Sequence, residues 1–267
     1  GEVDQLLDQD GTLAALVRIT TALKERRHAQ GGYELKLPEV WVAFPDGGIQ
    51  VIVEEQDTPS RQMVAEAMVL ANWLAARFLR DQAVPALYRT QPEPREAIRR
   101  QNGKSLLELW QDRRRLSRVV MDLSPAPHWG LGLPCYTFAT SPIRRYLDLV
   151  IHRQLLAALV GTRPVYSGEQ LEEVLTVIEP AMRRSGMLKA RRLRYWLLKY
   201  LSSRLGRKME ALVLEKLHNR YRLMFPDLLL EAFLTPPAGH SLTPGQTVQV
   251  RLDRVLPRED QIKLSLA

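Results

Sequence analysis

Two adjacent arginines, Arg144 and Arg145, follow Ser141 and Pro142 and form the sharpest chemical signal in the sequence. Ser141 is a favourable N-cap and Pro142 suits the first helical position, which predicts a helix with both arginines in its first turn. The helix dipole makes that turn unfavourable for cations until an anion binds. Together with free backbone N–H groups, the two guanidinium groups predict a phosphate site. The alternative is a surface ion pair of these arginines with Asp148.

A carboxylate within an apolar helix is the second candidate. Residues 61–81 are predicted to form a helix that is apolar almost all round between Met63 and Ala76, which is typical of a buried helix. Glu66 interrupts this surface, and it needs a partner or a ligand because a lone buried charge is very costly. Asn72 poses a milder version of the same question, and a hydrogen bond inside the core is the favoured interpretation for it.

A loop rich in glycine and aromatic residues, His128–Tyr136, leads directly into the arginine segment. This composition suits close approach of a ligand to the backbone and stacking of bases. Taken singly, His128 and Tyr136 would more often anchor a core or a loop. The 5 histidines lack the tight spacing of a metal site. A single cysteine, Cys135, excludes a disulfide scaffold and a multi-cysteine zinc site.

The charge distribution points to a polyanionic partner. The net charge is +8, but residues 1–60 carry a net −6, residues 61–210 a net +13 and residues 211–267 a net +1. A solvated helix face is the alternative interpretation, yet no acid compensates the basic residues of segment 180–209, and this favours nucleic acid. Those basic residues are Arg183, Arg184, Lys189, Arg191, Arg192, Arg194, Lys199, Arg204, Arg207 and Lys208.

Hydrophobic periodicity and the positions of proline and glycine predict a chain in which helices come first and strands dominate after about Gly206. The first helix is expected to be amphipathic, and the late strands to form a separate small β-barrel. Apolar stretches are too short and too often interrupted for a membrane span. The predicted helices cover 11–30, 60–81, 94–101, 104–121, 142–160, 168–178 and 180–204, and the predicted strands include Tyr33–Leu37, Ile49–Glu54, Thr247–Val250 and Ile262–Leu266.

Several ordered blocks together resemble the ribonuclease II family of 3′→5′ exoribonucleases, the RNB-domain enzymes. The blocks are residues 63–72, 85–94 and 128–153, a weaker block at 31–39, and a final segment from about residue 207 that is similar to the family's OB-fold RNA-binding domain. Three positions depart from the family pattern. Ala65 stands in place of the first of two acids, Gln91 in place of a common histidine, and Leu147 in place of a common proline.

The resemblance implies a mixed α/β (α+β) fold, with a helix-rich part of the RNB catalytic domain over residues 1–206 and a small all-β OB-fold (S-one-type) domain over 207–267. It implies hydrolysis of single-stranded RNA to nucleoside 5′-monophosphates. The catalytic residues would be Arg144, which holds a phosphate, and Glu66, near the terminal nucleotides. The RNA-binding residues would be Arg145, Tyr136, Asn72, His128, Arg153, Arg191, Arg192 and Arg194.

The largest departure from the family concerns its magnesium-binding aspartates, which lie well upstream of the helix that carries Glu66. Here Asp4, Asp8 and Asp10 do not form that motif. No metal ligand is therefore predicted in this sequence, and magnesium is expected to bind an upstream segment, either in a longer chain or in a separate polypeptide. That segment and single-stranded RNA are the expected partners.

Two further expectations complete the hypothesis. The single cysteine and the absence of a signal-like start predict a cytoplasmic protein that does not associate with membranes. The alternative function is a non-catalytic single-stranded RNA-binding protein, or a regulatory subunit, built on a decayed RNB fold.

Overall fold

The computed structural model describes residue 6 and residues 10–54, 58–99 and 103–267. Two compact units are formed from interleaved segments of the chain. The first unit comprises residues 1–35, 57–100 and 115–181, and the second comprises residues 36–56, 101–114 and 182–267. None of the described helices is long and apolar enough to cross a bilayer.

The first unit carries α1 (Gly11–Ala29), α2 (Pro59–Asp81), β3 (Tyr88–Thr90), β4 (Val120–Asp122) and α4 (Tyr146–Leu159). Its core brings α2, β3 and α4 together through buried apolar side chains. Thr58 caps α2 with its hydroxyl, and Pro59 occupies the first helical position, where a missing N–H costs nothing. The core includes Ala76, Leu79, Leu87, Val150, Ile151 and Leu171.

The second unit contains a five-stranded antiparallel sheet built from β5 (Lys208–Leu217), β6 (Arg220–Phe225), β7 (Leu230–Leu234), β8 (Thr247–Leu256) and β9 (Gln261–Leu266). The order of the strands in the sheet is β7-β6-β5-β8-β9. The two edge strands, β7 and β9, contact each other, so the sheet curls toward a barrel. A hairpin of β1 (Glu39–Ala43) and β2 (Gln50–Glu54) and the helix α3 (Leu106–Arg115) complete the unit.

The mixed α/β fold class predicted from the sequence is confirmed, and β5 begins where the sequence changes to β-type alternation. The same compact unit also includes segments that precede residue 206 in the chain. The division into domains at 206/207 and the OB-fold assignment of the sheet stay predictions.

Several predicted elements are wrong. Tyr33–Leu37 is not a strand, because pairing begins at Glu39, after a proline that cannot donate to a ladder. Residues 94–99 are not helical: Ser117 Oγ donates to the Glu93 carbonyl oxygen just before this segment, and Arg115 binds Glu96 within it. The predicted helix 104–121 ends at Arg115 and is followed by β4. The two predicted helices at 168–204 are one, α5 (Gly168–Ser202), which continues through Pro180.

The predicted burial of two helices is also only partly correct. Along α1, Thr20 is buried and Leu13, Val17 and Leu23 are half-buried, whereas Leu16 and Ile19 are 43% and 56% exposed, so the apolar face is only partly covered. Along α2, Val64 and Leu74 are 53% and 41% exposed, whereas Glu66 is buried. Helix α2 is therefore covered on one side by the described residues, and the burial all round that its apolar surface suggests is not seen within this chain.

Candidate nucleic-acid interface

The two arginines lie in a turn that precedes α4, and a buried carboxylate organises this turn. The backbone N–H groups of Arg144 and Arg145 donate to the carbonyl oxygen of Ser141, at 3.2 and 3.0 Å. Asp148, fully buried in the first turn of α4, accepts from the Ser141 backbone N–H and from Arg145 Nη2, both at 2.8 Å. The predicted helix start at Ser141 is wrong: α4 begins at Tyr146, because Asp148 binds the Ser141 N–H and holds the preceding residues in a turn.

Only one of the two arginines has a carboxylate partner. Asp148 pairs with Arg145, as the ion-pair alternative proposed. Arg144 is exposed, and within the described part of the chain no acid pairs with it; its side chain donates to the Ser141 hydroxyl at 3.5 Å. Arg144 therefore presents an uncompensated guanidinium group to solvent beside the N-terminus of α4, where the helix dipole adds positive potential.

A third arginine, Arg89, lies in the same region and was not predicted as a site residue. On β3 the side chains of Tyr88 and Thr90 are buried, and Arg89 points to the opposite side of the strand. Its guanidinium carbon is 4.6 Å from the centre of the Phe138 ring, and so is that of Arg145. Burial is the largest cause of the lowered pKa of Arg89. The positive charge of Arg145 lowers this pKa further. The one sign that Arg89 faces away from the core is the alternation of buried and half-buried residues along β3, which the structure shows.

Asn72 connects α2 to the segment that leads into the arginine turn. Its Nδ2 donates to the Tyr136 hydroxyl at 2.8 Å, and its Oδ1 accepts from the Ala139 backbone N–H at 2.7 Å. The core hydrogen bond favoured from the sequence is therefore observed. Because Asn72 and Tyr136 are buried, any part that they play in RNA binding acts through the position of residues 136–139.

The buried partner of Glu66 is Arg27 of α1. Arg27 Nε donates to Glu66 Oε2 at 3.0 Å and Arg27 Nη2 to Oε1, while Nη1 donates to the Leu131 carbonyl oxygen at 2.9 Å. The side chains of Arg27 and Glu66 are 13% and 6% exposed. Both carboxylate oxygens are thus bound within the protein, and the predicted catalytic contact of Glu66 stays a prediction. The two partners are 39 residues apart, so no local pattern could reveal the pair.

The glycine-rich loop packs closely against the end of α1. Gly132 has φ +64°, and a Cβ atom there would lie 2.5 Å from the Arg27 carbonyl oxygen, so only glycine fits. His128 is buried, and its ring meets the Tyr136 ring edge-on with centroids 5.7 Å apart. Burial, followed by the charge of Arg89, lowers the pKa of His128 to about 4, which keeps this side chain neutral. In this structure His128 anchors the loop, and its role in RNA binding stays a prediction.

The other predicted RNA-binding arginines are not equally available. Arg153, on α4, is exposed and donates to the Tyr166 hydroxyl. In the second unit, Arg191 and Arg192 are exposed on α5, and no carboxylate of the described residues pairs with them. Arg194 differs, because it pairs with Asp260 and donates to the Glu231 carbonyl oxygen at 2.9 Å. Its guanidinium group is therefore engaged within the protein.

The carboxylates of this region do not suit a divalent cation. Hard cations require several oxygen ligands that converge on one point. Within the described residues no group of three or more His, Cys, Asp or Glu side chains converges in this way. Glu66 and Asp148 are each bound by an arginine, and Asp10 caps α1. Asp4 and Asp8 lie outside the described residues. The described part of the chain therefore does not fit magnesium.

Comparison with known protein families identifies the first part of the chain. The RNB domain matches residues 2–161, which include the arginine turn, Glu66 and Arg89. The chain belongs to the RNB-domain family. Among relatives, an uncharacterized ribonuclease of Synechocystis sp. is 31% identical over 259 residues, which cover 92% of this chain and 38% of the relative. The chain thus spans well under half of the length of this relative.

Solved structures of RNB proteins share the fold. The Dss1 exoribonuclease active-site mutant D477N of Candida glabrata matches with a TM-score of 0.86 at 21% identity, over 99% of this chain and 37% of that one. RNase R of Mycoplasma genitalium, in complex with ribose-methylated single-stranded RNA, matches with a TM-score of 0.82 at 16% identity, over 100% of this chain and 52% of that one. Yeast Ssd1, a pseudonuclease, matches with a TM-score of 0.63 at 16% identity, over 94% and 37%.

Proposed function

We propose that this chain is the RNA-binding part of a 3′→5′ exoribonuclease of the RNB family, which shortens single-stranded RNA and releases nucleoside 5′-monophosphates. The observation that carries the proposal is an excess of guanidinium over carboxylate around Phe138 and the turn before α4: among the described residues, Asp148 is the one carboxylate paired with Arg89, Arg144 or Arg145. Such an excess next to a helix N-terminus is a binding site for phosphate groups. The RNB family and the RNA complex of a structural relative agree with this ligand class.

In the proposed reaction, Arg144 binds the phosphate of the bond that is cleaved. Attack of a water oxygen on phosphorus and departure of the 3′-oxygen leave the phosphate on the 5′-oxygen of the released nucleotide. Negative charge grows on the phosphate oxygens during this step, and a planar guanidinium group donates two parallel hydrogen bonds to them. Family members use magnesium for such chemistry, and its ligands would have to come from outside the described residues, since Glu66 and Asp148 are occupied by arginines.

A product assay tests the proposed function. In a protein that also contains the upstream acidic segment, 5′-labelled single-stranded RNA should shorten one nucleotide at a time from its 3′ end, with nucleoside 5′-monophosphates as the only small product. Accumulation of nucleoside 3′-monophosphates, or internal cleavage, would contradict the proposal. Removal of divalent cations with EDTA should stop the shortening but leave RNA binding intact.

The alternative function is non-catalytic binding of single-stranded RNA on a decayed RNB fold. It is favoured by the occupation of Glu66 and Asp148 by arginines and by the similar fold of the pseudonuclease Ssd1. The same product assay decides between the two functions. Binding without any shortening, in a protein that retains the upstream segment, would establish the alternative.

The basic helix α5 supplies a prediction about affinity. Replacing Arg191 and Arg192 with alanine should weaken binding to all single strands alike and lower the slope of log affinity against log salt by about 0.7 for each lost phosphate contact. Arg194→Ala is the matched control, and the slope should stay unchanged because Arg194 binds Asp260 and Glu231. Titrations at several salt concentrations measure this. An unchanged slope in the double variant would show that RNA does not contact this face of α5.

A further inference from the structure

We propose that Arg89 and Arg145, held beside the Phe138 ring, form a second phosphate-binding subsite that binds the phosphate neighbouring the one on Arg144. This proposal deepens the proposed function and rests on it for the source of the phosphate, a single RNA strand. Arg89 is assigned here from the geometry of the first unit.

The backbone places the two guanidinium groups, so the subsite does not depend on flexible side chains alone. The Arg89 backbone N–H donates to the Tyr136 carbonyl oxygen at 2.8 Å, which ties β3 to the segment that carries Phe138. Both guanidinium carbons then lie 4.6 Å from the centre of the Phe138 ring. Arginine stacks well on aromatic rings, and this stacking keeps the planar donor groups oriented before a ligand binds.

The charges of the subsite are unbalanced without an anion. Asp148 is the one carboxylate paired with these arginines in the described ranges, and it already serves Arg145 and the Ser141 N–H. Arg89 is half-buried, and no carboxylate of the described residues pairs with it. Two like charges in a partly desolvated site disfavour each other, and burial together with the charge of Arg145 lowers the pKa of Arg89. One phosphodiester group would restore the balance and use the free donors of both arginines.

A purely structural role for Arg89 is the competing explanation. In that role its side chain would only cover Phe138, and its charge would be immaterial to any ligand. Cation–ring contacts of this kind also occur at exposed positions. The guanidinium carbon of Arg77, for example, lies 5.3 Å from the centre of the Trp73 ring. Arg77 therefore provides a matched control, since it offers the same charge and the same kind of ring contact outside the arginine turn.

The test compares Arg89→Met, Arg89→Lys and Arg77→Met for binding of a single-stranded RNA oligonucleotide over a range of salt concentrations. Arg89→Met should bind about tenfold to a hundredfold more weakly, because one charge-assisted contact is lost. Its slope of log affinity against log salt should fall by about 0.7. Arg89→Lys should keep the slope and still lose affinity, since lysine lacks the planar guanidinium group that the Phe138 ring holds in place for the phosphate. Arg77→Met should match the wild type in both quantities.

A second measurement separates failure of the subsite from failure of the proposed function. Inorganic phosphate should raise the melting temperature of the wild type more than chloride at equal ionic strength, and Arg89→Met should reduce the difference to the part that Arg144 contributes. This result together with no RNA binding by the wild type would support the subsite and refute the proposed function. Equal RNA affinity of wild type and Arg89→Met, or equal losses in Arg89→Met and Arg77→Met, would overturn the subsite. If Arg89→Met does not fold, wild-type affinity of Arg89→Lys would overturn it.

Discussion

Replacing Arg27 with methionine should lower the melting temperature by about 10 °C, whereas Arg26→Met should change it by no more than about 2 °C. Arg27 binds both carboxylate oxygens of Glu66 in a buried site, and removal of one partner of such a pair leaves an uncompensated charge that costs about 3–5 kcal/mol. Arg26 is the exposed neighbour on the same turn of α1. Thermal unfolding followed by circular dichroism measures the difference.

The double variant Arg27→Met/Glu66→Met sharpens this prediction. Because both charges are removed together, most of the lost stability should return, since a buried pair is often no better than well-packed apolar side chains. A double variant as unstable as Arg27→Met alone would show that the contact of Arg27 with the Leu131 carbonyl oxygen, and not its pairing with Glu66, carries the stability. Equal melting temperatures of Arg27→Met and Arg26→Met would refute the prediction.

The second large effect is expected on turnover. In a protein that contains the upstream acidic segment, Arg144→Lys should reduce the rate of RNA shortening about tenfold to a hundredfold, which corresponds to about 1.5–3 kcal/mol for one charge-assisted contact. Lysine keeps the positive charge, so RNA affinity should change little, but it lacks the two-pronged geometry that matches the reacting phosphate. Single-turnover rates and binding titrations on the same RNA measure the two quantities.

Arg77→Lys serves as the control for this prediction, because Arg77 is exposed on α2 and contacts the Trp73 ring outside the arginine turn. Its substitution should leave the single-turnover rate within about twofold of the wild type, as expected for a surface change away from the reacting phosphate. A wild-type rate in Arg144→Lys would remove Arg144 from the reaction. A loss of affinity as large as the loss of rate would assign it to binding alone.

The elements that carry strong local patterns could be predicted from the sequence. Helix α2 follows from its apolar length and its Thr58–Pro59 start, and strands β8 and β9 follow from alternation between proline and glycine punctuation. The helical conformation predicted for residues 142–145 is wrong for a physical reason. Ser141 is a good N-cap by type, but Asp148 binds its N–H, and the helix begins later.

The contacts that complete the site join residues far apart in sequence, and this is why the sequence analysis missed them. The need of Glu66 for a partner was predictable from the cost of a buried charge, yet its identity as Arg27 was not. Likewise, Arg89 meets Phe138 through tertiary packing between β3 and the segment before the turn. The sequence therefore indicates which residues require a partner, but the identity of the partner depends on which residues the tertiary fold brings close.

We propose, as the central point, that this chain binds single-stranded RNA through uncompensated arginines and that its described residues hold no divalent metal site. The most direct measurement incubates the purified 267-residue chain with 3′- and 5′-labelled single-stranded RNA, with and without magnesium, and follows binding and RNA length together. The account predicts salt-dependent binding and intact RNA in both conditions. Magnesium-dependent shortening from the 3′ end, or no binding at low salt, would contradict it.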